Sequence, residues 1–215
     1  MILTMALVVD RFVLGAAQEN CYVVRLDRGA KEAAVIDPGD GAAQLRLELA
    51  RMSARCAGIL ITHCHWDHLM GVADLAEGTG APVYVPELER PVLEQPREFF
   101  PDVPLRPYEG AVGLNGEETI EVAGISFETV PIPGHSPGHF AYYADGRLFS
   151  GDLLFAGSVG RTDLPFSDWE TLLGSIRMLF DRFPPETIVH PGHGPETTLG
   201  IEQRTNPYLA ELRTA

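Results

Sequence analysis

Positive charge is scarce in this chain, where 16 lysines and arginines stand against 30 aspartates and glutamates and leave a formal net charge of −14. Nucleic acid and anionic membranes are gripped by clustered Lys and Arg that displace counterions. No such cluster occurs, so neither is expected as a partner. Cysteine is sparse as well. Cys21, Cys56 and Cys64 are an odd number without a CxxC pair, which argues against a disulfide framework and fits a reducing, cytoplasmic setting. Long apolar runs are missing too. The opening "MILTMALVVD" has no basic lead, is broken by Asp10 and Arg11, and falls short of the ~20 residues of a membrane span. It reads as an opening strand, not a signal peptide. No low-complexity segment or repeat is visible, and 215 residues at 45% hydrophobic and 21% charged suit one globular domain over 1–215.

What is present alternates in a layered pattern. "ALVVDRFVLG", "NCYVVRL" and "EAAVIDPG" are short β-branched runs closed by polar or Gly/Pro punctuation, and predict three strands. "AAQLRLELARM" has helical spacing, with Leu45 and Leu49 four apart, and "AGILIT" is a buried strand that runs straight into His63. Residues 67–77 are expected to form a helix, as is "DWETLLGSIRMLFDRF"; further strands are expected at "ISFETVPI", "FAYYAD", "RLFSG" and "TIVHP". Runs of this kind imply an α/β or α+β layered fold. The break in composition is 86–107, where six prolines make regular sheet improbable and suggest a long excursion or cap.

The histidines fall at the ends of these runs. "ITHCHWDHLMG" carries His63, His65, Asp67 and His68, and the later runs end in His135, Asp152 and His193. Loops beyond strand ends gather on one edge of a layered sheet, so residues some 130 positions apart can share a site. In an extended segment His63 and His65 point the same way and can grip one ion, while Asp67 and His68, turning into a helix, face a neighbouring position. That spacing points to two metal ions. Isolated histidines are commonly polar fillers, but four strand ends carrying His or Asp at metal spacing are not expected by chance.

"THCHWDH", "GHSPGH", "SGD" and "PGHG" resemble the metal-binding motifs of the metallo-β-lactamase superfamily, and "GSVGRTDLP" and "GPETTLGIEQRTNPYL" resemble its glyoxalase II-like branch. The likeness runs over nearly the whole chain. It implies an αββα sandwich of two mixed sheets with outer helices. It also implies that His63, His65 and His135 hold a first ion and Asp67, His68 and His193 a second, with Asp152 bridging. Asp37, in "IDPG", resembles the family's buried aspartate that orients the metal loop, with a plain turn-forming Asp as the alternative. Imidazole and carboxylate without thiolate suit zinc first, and iron or manganese accept the same donors.

Weaker expectations attach to other residues. Alternation points Cys64 away from the ions, as a packing residue. His139 reads equally as a support for the ligands or as a structural histidine, and His190 as a filler near the site. Arg161 could meet a substrate carboxylate, although a pair with Asp163 or Asp168 is the blander reading. Phe99, Phe100 and Tyr108, in or just beyond the excursion, could offer apolar contact to a substrate or simply lie on a surface loop or oligomer contact.

Two divalent ions about 3.5–4 Å apart supply a hydroxide nucleophile and polarise a carbonyl, so no Ser, Cys or Lys nucleophile is needed. With the glyoxalase II likeness, this implies hydrolysis of a small-molecule thioester, with Asp67 orienting the attacking group. A mononuclear iron persulfide dioxygenase and a lactonase or β-lactamase of the same superfamily are the alternatives. Full glyoxalase II enzymes hold the glutathione carboxylates with basic residues of an added C-terminal region. Here only Arg204 and Arg213 follow Gly194 as basic residues, so little dependence on glutathione as the thiol carrier is expected.

Overall fold

The computed structural model describes residues 7–213, so the first six residues of the expected opening strand lie outside it. Two six-stranded mixed sheets are built in succession. The first uses β1 (Val8–Leu14), β2 (Glu19–Arg25), β3 (Glu32–Ile36), β4 (Arg55–Leu60), β5 (Val83–Pro86) and β6 (Val112–Leu114), in that spatial order. Its first three strands pair antiparallel and the remaining pairings are parallel. The second uses β7 (Thr119–Val122), β8 (Ile125–Pro131), β9 (Phe140–Ala144), β10 (Arg147–Gly151), β13 (Ile188–Pro191) and β14 (Thr197–Thr198), in the order β14-β13-β10-β9-β8-β7. A small hairpin of β11 (Leu154–Phe155) and β12 (Ser158–Val159) stands apart.

Strand alternation creates the layers. Every residue of β2 is buried, yet Cys21 and Val23 face the helices while Tyr22 and Val24 face the other sheet. Between the sheets lie Tyr22, Ile36, Leu60, Phe127, Tyr142 and Phe149. Outside the first sheet pack α1 (Ala42–Arg51), through Leu45 and Leu49, and α3 (Val72–Thr79), through Val72 and Leu75. Outside the second packs α6 (Trp169–Arg182), through Leu172, Ile176 and Leu179. This is the αββα arrangement.

The helix expected over 67–77 is in fact two: α2 (Trp66–Leu69) and α3, broken at Met70 and Gly71. The cause is a close approach of two loops. Gly71 N–H donates to the Gly39 carbonyl at 2.5 Å, and a Cβ on Gly71 would stand 2.7 Å from that oxygen. Beyond Pro86, which ends β5 and pairs with Leu114, the proline-rich excursion forms no sheet; it folds as short helical turns, α4 (Arg90–Glu94) and α5 (Pro96–Phe99), before continuing as irregular chain. The C-terminal α7 (Leu199–Thr205) and strands β5, β6 and β7 were not expected from periodicity; these strands are three or four residues long, too short for alternation to register.

Candidate metal centre

Four strand ends converge on one edge of the sandwich. β4 leads into Thr62 and His63, β8 into His135, β10 into Asp152 and β13 into His193. The two sheets are stitched together at this edge: Phe140 N–H donates to the Thr62 carbonyl at 2.8 Å, Asn20 N–H to Gly192 at 2.7 Å, and the Tyr142 hydroxyl to Ile61 at 2.9 Å. The seam holds loops from distant parts of the chain in fixed register.

The donor atoms of His63, His65 and His135 lie within 4.8 Å of one another, as do those of Asp67, His68 and His193 and those of His63, His68 and Asp152. Asp152 sits between the first two sets. Its carboxylate is 3.6 Å from His135 Nε2 and 3.5 Å from both His68 Nε2 and His193 Nε2. His63 Nε2, His68 Nε2 and Asp152 Oδ1 are buried with no hydrogen-bond partner. Unpartnered buried imidazole nitrogens beside a buried carboxylate are costly, and a divalent cation is the group that would satisfy all three. The residues therefore fit a metal.

The outward ring nitrogens are fixed by a further layer of contacts. His68 Nδ1 is 3.0 Å from Asp37 Oδ2, His63 Nδ1 3.1 Å from Thr62 Oγ1, and His135 Nδ1 2.9 Å from the Arg161 carbonyl. Asp37 also accepts the Thr62 N–H at 2.8 Å and its hydroxyl at 2.6 Å. Such contacts set ring orientation and tautomer.

Protonation divides the site. Burial, with the charge of His68, keeps His63 well below the usual histidine range, and burial together with His135 pushes His65 down to about 4. Both are neutral and ready to donate a lone pair. At His193 burial pulls the other way, but hydrogen bonds to Asp152 and Asp67 raise it to about 10. Burial would lift Asp152; His68 and His193 instead hold it well below the carboxylate range.

The remaining expected residues fall unevenly. His139 is fully buried, its ring 4.6 Å from that of His63 and both its nitrogens unpartnered. His190 is stacked on Phe149 with ring centroids 4.8 Å apart and belongs to no donor set. Cys64 packs into the core under the helices, and all three cysteines are buried and unpaired. The Arg161 guanidinium is exposed and paired with Asp163 at 2.7 and 2.8 Å, so it is the backbone carbonyl of Arg161 that reaches the site. Phe100 lies edge-on to His65 at 6.5 Å. Phe99 is 45% exposed. Neither lines the cavity of about 260 Å³ beside Asp67, whose lining includes Leu14, Trp66, Met70, Val103 and Pro104 together with Asp40 and Asp102.

Sequence reasoning missed several supporting groups. Thr62 could have been noticed from its place beside His63. Asn20, whose Nδ2 donates to Pro191 at 2.9 Å and Gly194 at 2.8 Å, and the buried Glu19 and Glu89 give no local signal.

The αββα fold and the clustered His and Asp donors are those of a metal-binding superfamily, and residues 14–193 match the family model of the metallo-beta-lactamase superfamily; the chain belongs to that superfamily. It is 34% identical over 202 residues to hydroxyacylglutathione hydrolase GloC of Haemophilus influenzae, covering 90% of this chain and 94% of the relative. To the probable metallo-hydrolase YqgX of Bacillus subtilis it is 32% identical over 207 residues, 93% and 96% of the two chains. Among solved structures it resembles BLEG-1 B3 metallo-beta-lactamase, at 38% identity and a TM-score of 0.87 over 94% of this chain and all of that one. It also resembles TTHA1623 in a di-iron-bound form, at 40% identity and a TM-score of 0.75 over the same shares.

Proposed function

We propose that the protein is a dinuclear metal-dependent thioester hydrolase. The observation that carries the reading is the pair of donor sets, His63, His65, His135 and Asp67, His68, His193, placed on either side of one carboxylate, Asp152. Zinc is the proposed metal on donor chemistry, and the di-iron form of TTHA1623 keeps iron as the competitor. When bound, two such ions supply an activated water and Lewis acidity toward a carbonyl.

The chain's own residues do the rest. Burial raises Asp67, but the His193 hydrogen bond and the charge of His68 outweigh it, so Asp67 stays ionised. It borders the cavity and is the available acceptor for the proton of an attacking water. His63 and His65, being neutral, cannot compete for that proton without first losing their donor role.

The cavity bears on the leaving thiol. Its lining includes Asp40 and Asp102 and no lysine or arginine, so an anionic carrier such as glutathione finds no partner there and meets like charge. Lactate thioesters of glutathione and of N-acetylcysteamine are expected to differ by less than about tenfold in kcat/KM, or ~1.4 kcal/mol. A thousandfold preference for glutathione would reveal a carrier site elsewhere on the surface.

A second reading, a β-lactam hydrolase, is favoured by the likeness to BLEG-1. Metal analysis of the purified protein, with the same sample assayed on thioesters, lactones, β-lactams and persulfides, decides among these. Faster turnover of a β-lactam than of any thioester would overturn the thioesterase reading, as would one iron per chain with oxygen uptake on a persulfide.

A further inference from the structure

Glu89 closes a single 3-10 turn at the start of the proline-rich excursion, Glu87–Glu89, and is only 4% exposed. Among the described residues no basic side chain pairs with it; the neighbouring Arg90 turns to Glu87 and Glu94 instead. Its charge is met by three donors. Oε2 accepts the Cys64 N–H at 2.5 Å, and Oε1 accepts the Gly138 N–H at 2.8 Å together with the Ser136 hydroxyl.

The position of those donors gives the contact its meaning. Cys64 separates His63 from His65, Ser136 follows His135, and Gly138 precedes His139. One buried carboxylate from a third segment therefore ties together the two loops that carry the three-histidine set. The approach is close: a Cβ on Gly138 would stand 2.7 Å from Glu89 Cγ. A buried carboxylate is stable only while its acceptor sites are filled, so neither loop can move without leaving part of this charge unsatisfied.

We propose that Glu89 is a positioning residue that sets the mutual placement of His63, His65 and His135, and through it the affinity of that set for a divalent cation. The inference rests on the reading that these three histidines hold an ion. It gives the excursion a part in building the metal centre, apart from any contact it makes with substrate.

The test is a zinc titration of metal-free protein against a competing chelator, with the melting temperature of each metal-free variant as the folding control. His63→Ala and His193→Ala mark which binding step belongs to which donor set. Glu89→Gln keeps the shape but turns an amide toward groups that are all donors. It should weaken the step that His63→Ala abolishes by about 10–100-fold and leave the step that His193→Ala abolishes within about threefold. Ser136→Ala, which removes one donor of the three, should give a smaller loss at the same step.

Zinc affinity in Glu89→Gln and Ser136→Ala within about threefold of wild type at the His63-dependent step would overturn the proposal. So would equal weakening of both steps in proportion to a fall in metal-free melting temperature, which would reduce Glu89 to a support of the fold. If wild type shows no step that His63→Ala removes, the metal reading fails and takes the proposal with it, a result distinct from either of the other two.

Discussion

Asp152 lies 3.5–3.6 Å from three histidines that belong to two donor sets, and it is the carboxylate that would offset the repulsion of two cations placed side by side. Asp152→Ala removes this charge and leaves His68 and His193 facing a gap. Metal content measured by mass spectrometry is expected to fall at both positions, with hydrolysis lost. Full stoichiometry with a near-normal rate would show that Asp152 bridges nothing. His193 behaves differently, because His63, His65 and His135 survive as a complete three-ligand set without it. With two equivalents of metal supplied per chain, His193→Ala should therefore lose about half of the bound ions.

Among the elements, the excursion and α6 make separable contributions. Phe100 stands edge-on to His65, whereas Phe99 points to solvent. Phe100→Ala removes its contact with His65 and is expected to cost about 1 kcal/mol in urea denaturation, while Phe99→Ala leaves stability unchanged. Equal effects of the two would mean that the excursion acts as a whole. The start of α6 is held by Asp168, whose carboxylate accepts the Thr171 N–H at 2.8 Å and its hydroxyl at 2.6 Å. Its own N–H donates to the Gly134 carbonyl beside His135, at 2.8 Å. Asp168→Ala should cost about 1 kcal/mol in urea denaturation. Because the backbone N–H remains, metal content should be unchanged.

The whole molecule is three apolar layers pinned at one edge, and His190 lies within that packing between Tyr22 and Phe149. Burial, with Arg147 and Arg11, pushes it down to about 3 from an ordinary value of 6.5. The exposed Glu196 carboxylate, 3.1 Å from Nδ1, is too well solvated to reverse this. The folded state thus holds His190 neutral. Its contribution to stability is complete above pH 6.5 and is lost as pH falls toward 3, because the unfolded chain takes up a proton that the folded chain refuses. Between pH 7.5 and 5 this amounts to about 2 kcal/mol. His190→Gln should lose correspondingly less on acidification, measured by urea denaturation with chelator present. An identical pH dependence in the two proteins would assign the acid sensitivity to other groups. At this scale too, no helix among the described residues is long and apolar enough to cross a membrane.

Much of this architecture was legible in the linear chain because the signals are local. The short apolar runs of β2, β8 and β10 and the helical spacing of Leu45 and Leu49 are patterns that each segment carries by itself. The clustering of His63, His65, Asp67 and His68 within one short stretch is likewise a property of the sequence. The break at Gly71 was not legible, since it depends on the Gly39 carbonyl from a different loop. Nor were the short strands β5, β6 and β7, which exist because neighbours supply their hydrogen bonds. The layered pattern, the acidic charge balance and the residue types available as donors are all carried by the linear chain. Tertiary structure alone decided that Glu89 clamps two histidine loops, that Arg161 serves through its carbonyl, and that Trp66, Met70 and Val103 rather than Phe99 line the cavity. The reason is physical: a hydrogen bond or cavity wall between distant segments depends on how whole sheets dock, and no residue carries a local trace of its partner.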